Sequence, residues 1–286
     1  MSAVLAPTEL FVVGSGRSGT TIVLEAIDCL DEVASVPRLA GRWAPAVELA
    51  SKLRRHGLGP SSWTRPSSEC TALFAEAGLT QEFQAGLGRS VTASDASNLR
   101  MDKLQKRLTA VRRHSQVRTV VVKNTASCAR VPILSQTFPS APFLHVTRHP
   151  ARVVMSLLKT DFWAGMNLWW DGRTTDQIAA DEGISQERVA ARHWSRQVAT
   201  LVADLHSSPE IVQKVIRYED FTNDPVGTLQ DLDILGLRVE DTPVLRSRIV
   251  KLGIRADRPT SPVPSSVQQA IDEECREVAA KVGIVL

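Results

Sequence analysis

The sequence predicts a three-layer α/β fold around a mostly parallel central sheet. Three observations carry this. Strand-like and helical patterns alternate along the chain. The runs Val117–Val122 and Phe143–Thr147 are apolar, β-branched or aromatic at every position but Arg118, as in strands covered on both faces. The first apolar run passes straight into a glycine loop and then a helical pattern. With 286 residues, 43% of them hydrophobic, the chain has material for a sizeable core. No linker or internal repeat divides it, so one domain over residues 1–286 is expected.

In order, Glu9–Val13 reads as the first strand, ending at Gly14. Thr20–Leu30 reads as a helix with Ile22, Val23, Ala26, Ile27 and Leu30 at helical spacing. Val33–Val36 is a short strand stopped by Pro37, and Trp43–Arg55 a helix ending at Gly57. The Gly/Pro/Ser-rich stretch Gly57–Ser68 reads as a loop, followed by helices near Glu69–Ala77 and Leu99–His114. Residues 40–115 are thus expected to form a helical insertion that supplies acceptor-pocket elements. A helix at Val131–Phe138 lies between the two central strands, and another opens at His149–Pro150, with proline in its first turn. Thr175–His206 carries a long helical pattern with a break near Gly183. Ile211–Ile216 is a strand, Pro225–Leu235 a helix, and Ser265–Val282 a terminal helix.

The charge balance of 34 basic to 31 acidic residues, net +3, excludes a wholesale nucleic-acid binder and leaves room for a local basic pocket. Cys29, Cys70, Cys128 and Cys275 are scattered, with no C-x-x-C pair and no histidine cluster, so reduced thiols and no metal site are expected. No stretch approaches the ~18 apolar residues of a membrane span, and the N-terminus lacks a signal pattern. A cytoplasmic protein without stable membrane insertion is expected.

The strongest local feature is Gly14-Ser15-Gly16-Arg17-Ser18-Gly19-Thr20-Thr21 between strand and helix, where backbone N–H groups and the helix dipole can hold an anion. As G-x-G-x-x-G it would be a dinucleotide loop, which wants an acidic residue ~20 positions on; Pro37 and Arg38 stand there, and Arg38 would suit a 2′-phosphate. As G-x-x-x-x-G-K-[ST] it would hold a nucleoside triphosphate, but Thr20 occupies the lysine position. In the third reading the cation sits inside the loop as Arg17, and the small residues with Thr20 and Thr21 suit a 5′-phosphosulfate, which needs no obligatory metal. A ligand-free glycine turn is the remaining alternative.

Two further segments bear on the choice. Arg148-His149-Pro150 ends the strand Phe143–Thr147, and Ser156 lies two turns into the next helix; both can reach one phosphate. The strand Ile211–Ile216 runs into Arg217-Tyr218-Glu219-Asp220-Phe221, which brings Tyr218 to a strand's carboxyl end beside the same crevice.

Together the three segments, in this order over Phe11–Phe221, resemble the sulfotransferases that use 3′-phosphoadenosine 5′-phosphosulfate (PAPS) and release adenosine 3′,5′-bisphosphate (PAP). The loop is similar to the family's 5′-phosphosulfate loop in its Arg-containing form, seen in tyrosylprotein and some carbohydrate sulfotransferases. Val146–Ser156 is similar to the 3′-phosphate segment, and Arg217–Phe221 to the R-Y-E-D element. The resemblance implies a P-loop-like fold and a donor site made of Gly16, Arg17, Ser18, Gly19, Thr20, Thr21, Arg148, Ser156 and Tyr218. Sulfuryl transfer needs an aligned acceptor, a base and cations on the leaving oxygen. Arg17 is expected to serve that oxygen. Lys123, placed like the family's lysine after the third strand, is expected to serve the transferring sulfonate.

The base cannot be carried over from the family. Thr125 stands where cytosolic members have histidine, and Pro37-Arg38 where tyrosylprotein enzymes have glutamate. Glu48 is the expected substitute, with His56 and Asp95 behind it. Arg255 and Arg258 are expected to form a late basic loop over the 3′-phosphate. Phe162, Trp163, Trp169 and Trp170 either line an apolar acceptor pocket or belong to the core, and Trp194 is expected in the core. The acceptor class stays open among small molecules, carbohydrates and glycolipids. The alternatives to a sulfotransferase are a P-loop small-molecule kinase and a non-catalytic adenosine-bisphosphate binder.

Overall fold

Five strands form where the sequence is most β-branched and least interrupted. In the computed structural model, which describes residues 8–255 and 262–286, they are β1 (Thr8–Val13), β2 (Val33–Ser35), β3 (Thr119–Lys123), β4 (Phe143–Thr147) and β5 (Gln213–Arg217). Every pairing is parallel and the order is β2-β3-β1-β4-β5. Val12 stands opposite Lys123 on one side of β1 and Leu144 on the other. The order reverses at β1, so the crevice beyond its carboxyl end is the place where a parallel sheet of this kind receives a ligand.

Side chains alternate across the sheet. Phe11, Val13, Val120, Val122 and Phe143 enter one core layer, and Leu10, Val12, Val121, Leu144 and Val146 the other. The second layer is covered by α1 (Thr20–Ile27), and the first by helices of the long β2–β3 connection. These are α2 (Arg38–Arg42), α3 (Val47–Arg55), α4 (Ser61–Thr64), α5 (Thr71–Glu76), α6 (Gln81–Leu87) and α7 (Met101–Ser115). After β3 come α8 (Val131–Thr137), then β4, α9 (Pro150–Leu157), α10 (Thr175–Glu182) and α11 (Gln186–His206). α12 (Tyr218–Asn223), α13 (Pro225–Gln230) and α14 (Pro243–Lys251) follow β5, and α15 (Ser265–Glu274) and α16 (Arg276–Lys281) complete the described chain. A third cluster joins α9, α10, the first half of α11, α15 and α16 around the fully buried Trp194.

Three elements differ from the sequence expectation. The helix expected over Trp43–Arg55 is broken. α2 starts directly after Pro37, Trp43 is extended (φ −142°, ψ 94°), and Pro45, which has no N–H to donate, sits in a 3₁₀ turn before α3. The terminal helix is interrupted at Cys275, whose Sγ turns inward onto the Ala191 carbonyl at 3.3 Å. The strand expected over Ile211–Ile216 starts later, as β5 at Gln213, and Tyr218 opens α12 at its carboxyl end. The expected break after Glu182 is present, with Gly183 left-handed at φ 62°. Burial raises the thiols of Cys70, Cys128 and Cys275 to about 12, so these are inert core residues. Among the described residues no cluster suited to a metal ion occurs, and no helix is long and apolar enough to cross a membrane.

Candidate active site

The glycine loop leaves β1 where its backbone packs tightly against β4. A methyl group on Gly14 would fall far inside van der Waals contact with the Val146 carbonyl oxygen, so only glycine lets β1 and β4 approach this closely here. Ser18 N–H donates to the Ser15 carbonyl at 3.2 Å, closing the turn, and Arg17 at its apex is left-handed (φ 66°). That conformation costs a non-glycine residue of order 1–3 kcal/mol, and it persists only where the surroundings enforce it. Gly19 (φ 92°) then caps α1 with no side chain. The first N–H groups of α1 therefore have no partner within the helix and point out of its positive end.

The loop is held on three sides. Gly16 N–H donates to Gln197 Oε1 of α11 at 3.2 Å. Arg17 Nε donates to Ser156 Oγ of α9 at 2.9 Å, and Arg148 Nη1 to the Arg17 carbonyl at 3.4 Å. The Tyr218 ring lies against Gly19, and the Arg148 guanidinium stacks over that ring, 4.3 Å from its centroid. His149 N–H donates to Glu219 Oε1 at 3.0 Å, tying the segment after β4 to the one after β5. All the residues expected at the donor site, Gly16 to Thr21 with Arg148, Ser156 and Tyr218, thus lie on one edge of the sheet.

The hydroxyls of Ser15 and Ser18 are buried and have no hydrogen-bond partner among the described residues. Buried hydroxyls are normally satisfied. A helix N-terminus, two unsatisfied hydroxyls and two arginines from different elements form a donor set suited to a group with several anionic oxygens and no metal.

On the other flank of the loop, Thr125 Cγ2 would lie 3.5 Å from a methyl group placed on Gly16. Lys123, the last residue of β3, is 4% exposed at its side chain. Its Nζ pairs with the Glu69 carboxylate and donates to Thr125 Oγ1 at 3.1 Å. Glu69 Oε2 accepts from Thr125 N–H at 2.8 Å, Oε1 accepts from Thr125 Oγ1 at 2.9 Å, and the Glu69 carbonyl accepts from Asn124 Nδ2. Glu69 arrives here because residues 65–67 pair antiparallel with the continuation of β2. Arg38 N–H donates to the Arg65 carbonyl and Ser67 N–H to the Val36 carbonyl, both at 2.8 Å. A left-handed Cys70 (φ 49°) then turns the chain into α5. Glu69 and Gln197 were not legible in the sequence: each reaches the loop through tertiary packing, at no diagnostic spacing.

Glu48 is not brought to this edge. It is exposed in the first turn of α3, pairs with Lys52 at 2.7 Å, and faces His114 at 3.7 Å. His114 lies at the end of α7 that leads into the start of β3, the opposite edge from Lys123. His56 is exposed at the end of α3. Asp95 is fixed by Arg89, with two hydrogen bonds of 2.8 Å, and by Thr92 N–H at 2.9 Å; these donors hold its carboxyl well below the usual range. Arg255 is exposed after α14, and Arg258 lies outside the described residues. Trp163 is core and Phe162 is exposed. Trp169 and Trp170 border a cavity of about 620 Å³ together with Arg89, Asp171, Arg192 and Arg196.

The sequence matches the model of the sulfotransferase family over residues 7–241. A search of curated proteins finds no match. Among solved structures, a sulfotransferase from Mycobacterium avium superposes with a TM-score of 0.59 at 14% identity, over 99% of this chain and 79% of its own. One from Mycobacterium tuberculosis H37Rv gives 0.56 at 16%, over 94% and 78%. The sulfotransferase domain from the curacin biosynthetic pathway gives 0.52 at 17%, over 98% and 99%. These likenesses are of fold, P-loop-like three-layer α/β. The order of the strands, the loop at the reversal point and the family match over most of the chain lead to one conclusion: this chain belongs to the sulfotransferase family.

Proposed function

We propose that the chain transfers the sulfuryl group of PAPS to a hydroxyl or amine of a small-molecule, carbohydrate or glycolipid acceptor. The observation that carries this reading is the convergence of two arginines on one glycine loop. Arg148 is bonded to the loop's own backbone and stacked on Tyr218, and Arg17 is bonded to Ser156. When bound, PAPS supplies an activated sulfuryl group on a phosphate leaving group. The loop N–H groups, the Ser15 and Ser18 hydroxyls and the helix N-terminus hold the 5′-phosphosulfate. Arg148 and Ser156 hold the 3′-phosphate. Arg17 belongs to both, with its backbone in the loop and its guanidinium on Ser156, and it supplies charge to the leaving oxygen. Lys123, on the far flank, supplies charge to the transferring sulfonate.

Calorimetric titration with PAP tests the donor site, with ATP plus Mg²⁺ and NADP⁺ as controls. Metal-independent binding of PAP is expected, weakened in Arg148→Ala by about 10- to 100-fold, since a hydrogen bond to a charged group contributes about 1.5–3 kcal/mol. Absence of PAP binding, or preference for either control, overturns the reading. Dependence on ATP and Mg²⁺ would favour a kinase instead.

A further inference from the structure

We infer that Glu69 is the residue that takes the acceptor's proton. The inference rests on the sulfotransferase reading above and supplies the group that neither motif nor spacing identifies. Four observations lead to it. Among the sequence candidates for the base, Glu48 pairs with Lys52 and His114 away from the site, His56 is exposed on the outside of α3, and Asp95 is locked by Arg89. Glu69, by contrast, is fixed at the loop's flank through Thr125, which itself packs toward Gly16. Its carboxylate is oriented at both oxygens: Oε2 by the Thr125 N–H, Oε1 by the Thr125 hydroxyl and Lys123. Finally, its side chain stays 40% exposed while Lys123 beneath it is 4% exposed. The Glu69 side chain thus keeps access to solvent, from which an acceptor arrives.

This arrangement suits a base. A carboxylate has about four lone-pair positions, and Thr125 and Lys123 use three of them. Thr125 N–H is a rigid backbone donor, so the carboxylate is pre-positioned without help from substrate. Lys123 touches the carboxylate directly, so the cation assigned to the sulfonate and the proposed base are neighbours. In the transfer step the acceptor oxygen forms its bond to sulfur while the bond from sulfur to the bridging oxygen breaks. PAP leaves with that electron pair, and the acceptor's proton passes to a Glu69 carboxylate oxygen, from which it exchanges with solvent.

A series of phenols of graded acidity tests the inference whatever the natural acceptor is. Pentafluorophenol is already ionised at neutral pH and needs no base, whereas 4-methylphenol carries its proton. General bases contribute typically ~10²–10⁴-fold. Glu69→Gln is therefore expected to slow transfer to 4-methylphenol by about that factor and to leave transfer to pentafluorophenolate within a few-fold of wild type, with PAP affinity retained. Slow PAPS hydrolysis, with water as the protonated acceptor, should fall with the 4-methylphenol rate and serves where phenols are poor acceptors. Glu69→Asp is expected to recover part of the loss.

Equal slowing for every phenol would overturn the proposal and make Glu69 a holder of Lys123 only. Unchanged rates would overturn it as well. Failure of the wild-type chain to bind PAP would instead refute the donor-site reading beneath it. PAP binding with neither phenol transfer nor PAPS hydrolysis would make the chain a nucleotide binder with no base to assign.

Discussion

Gly19→Ala puts a methyl group where the Tyr218 ring now lies. It would fall 2.5 Å from Cε2 and 3.0 Å from Cγ, and closer still to Cδ2. An ordinary carbon–carbon contact is about 3.5 Å, so the ring or the loop must retreat by about 1.4 Å to clear Cδ2. The residue would also keep φ near 92°, a region that costs a non-glycine side chain about 1–3 kcal/mol, and overpacking adds about 1–3 kcal/mol. The expected loss of stability is therefore roughly 2–6 kcal/mol, read as a shift of the urea midpoint at unchanged slope. Because Arg148 stacks on the same ring, PAP affinity should fall at least tenfold under conditions where the variant is still folded. Tyr218→Ala removes the clash but not the backbone cost, so the double variant should recover the steric part. A double-mutant cycle should thus show about 1–3 kcal/mol of coupling. A Gly19→Ala protein with wild-type midpoint and PAP affinity would refute the loop geometry and the role of Tyr218 as its support.

Glu48→Gln should leave turnover and thermal midpoint unchanged, because Glu48 pairs on the exposed side of α3; a loss of transfer measured with a phenol acceptor would return it to the site. Arg130 is 2% exposed and donates to Gln84 Oε1 at 2.8 Å and to Asn124 and Thr80 at 3.4 Å, over the Phe74 ring. Arg130→Ala should therefore lose roughly 3–5 kcal/mol by denaturant melts, from the cavity and the stranded acceptors, with Arg130→Met losing less. Burial pushes the His145 and His193 imidazoles down to about 4, from an ordinary value near 6.5. Between these values the unfolded chain binds protons that the folded chain refuses. Stability should fall as pH drops from about 6.5 to 4, by up to roughly 3 kcal/mol per histidine. His145→Leu should remove about half of that histidine contribution when urea midpoints are compared at pH 7 and 4.5.

The parts of this fold that the sequence declares are those whose reason is local. β4 is read from Phe143–Thr147 because it is buried on both faces, and the α10–α11 break from Gly183 because a left-handed residue ends a helix. The glycine loop, Arg148, Ser156 and Tyr218 are legible because each sits where a strand ends or a helix begins. α6 is not legible. Gln-Glu-Phe-Gln-Ala-Gly-Leu has little periodicity, and part of what holds it is polar: Gln84 accepts from Arg130 and donates to the Ala126 carbonyl at 3.4 Å. Glu48 misleads because the helix carrying it starts late, after Pro45 breaks the expected run. Glu69 is invisible because it is delivered by the bridge between Pro37 and Pro66, a contact between two segments that read as turn and loop.

The sheet order sets a schedule for synthesis as well as a place for the loop. β1 is the central strand, yet its partners lie far downstream: Val12 waits for Lys123 on one side and Leu144 on the other. A ribosome adding about 5–20 residues per second needs roughly 7–27 s to go from the end of β1 to the end of β4. Until β3 emerges Leu-Phe-Val-Val, apolar and edge-forming, has no strand to pair with, and until β4 emerges it can pair on one side only. Contacts of such long sequence separation also close slowly in the finished chain. Gly14 meets Val146, and Gly19 meets Tyr218, only once those late segments have docked, so the edge that carries the glycine loop is among the last features of the molecule to acquire its shape.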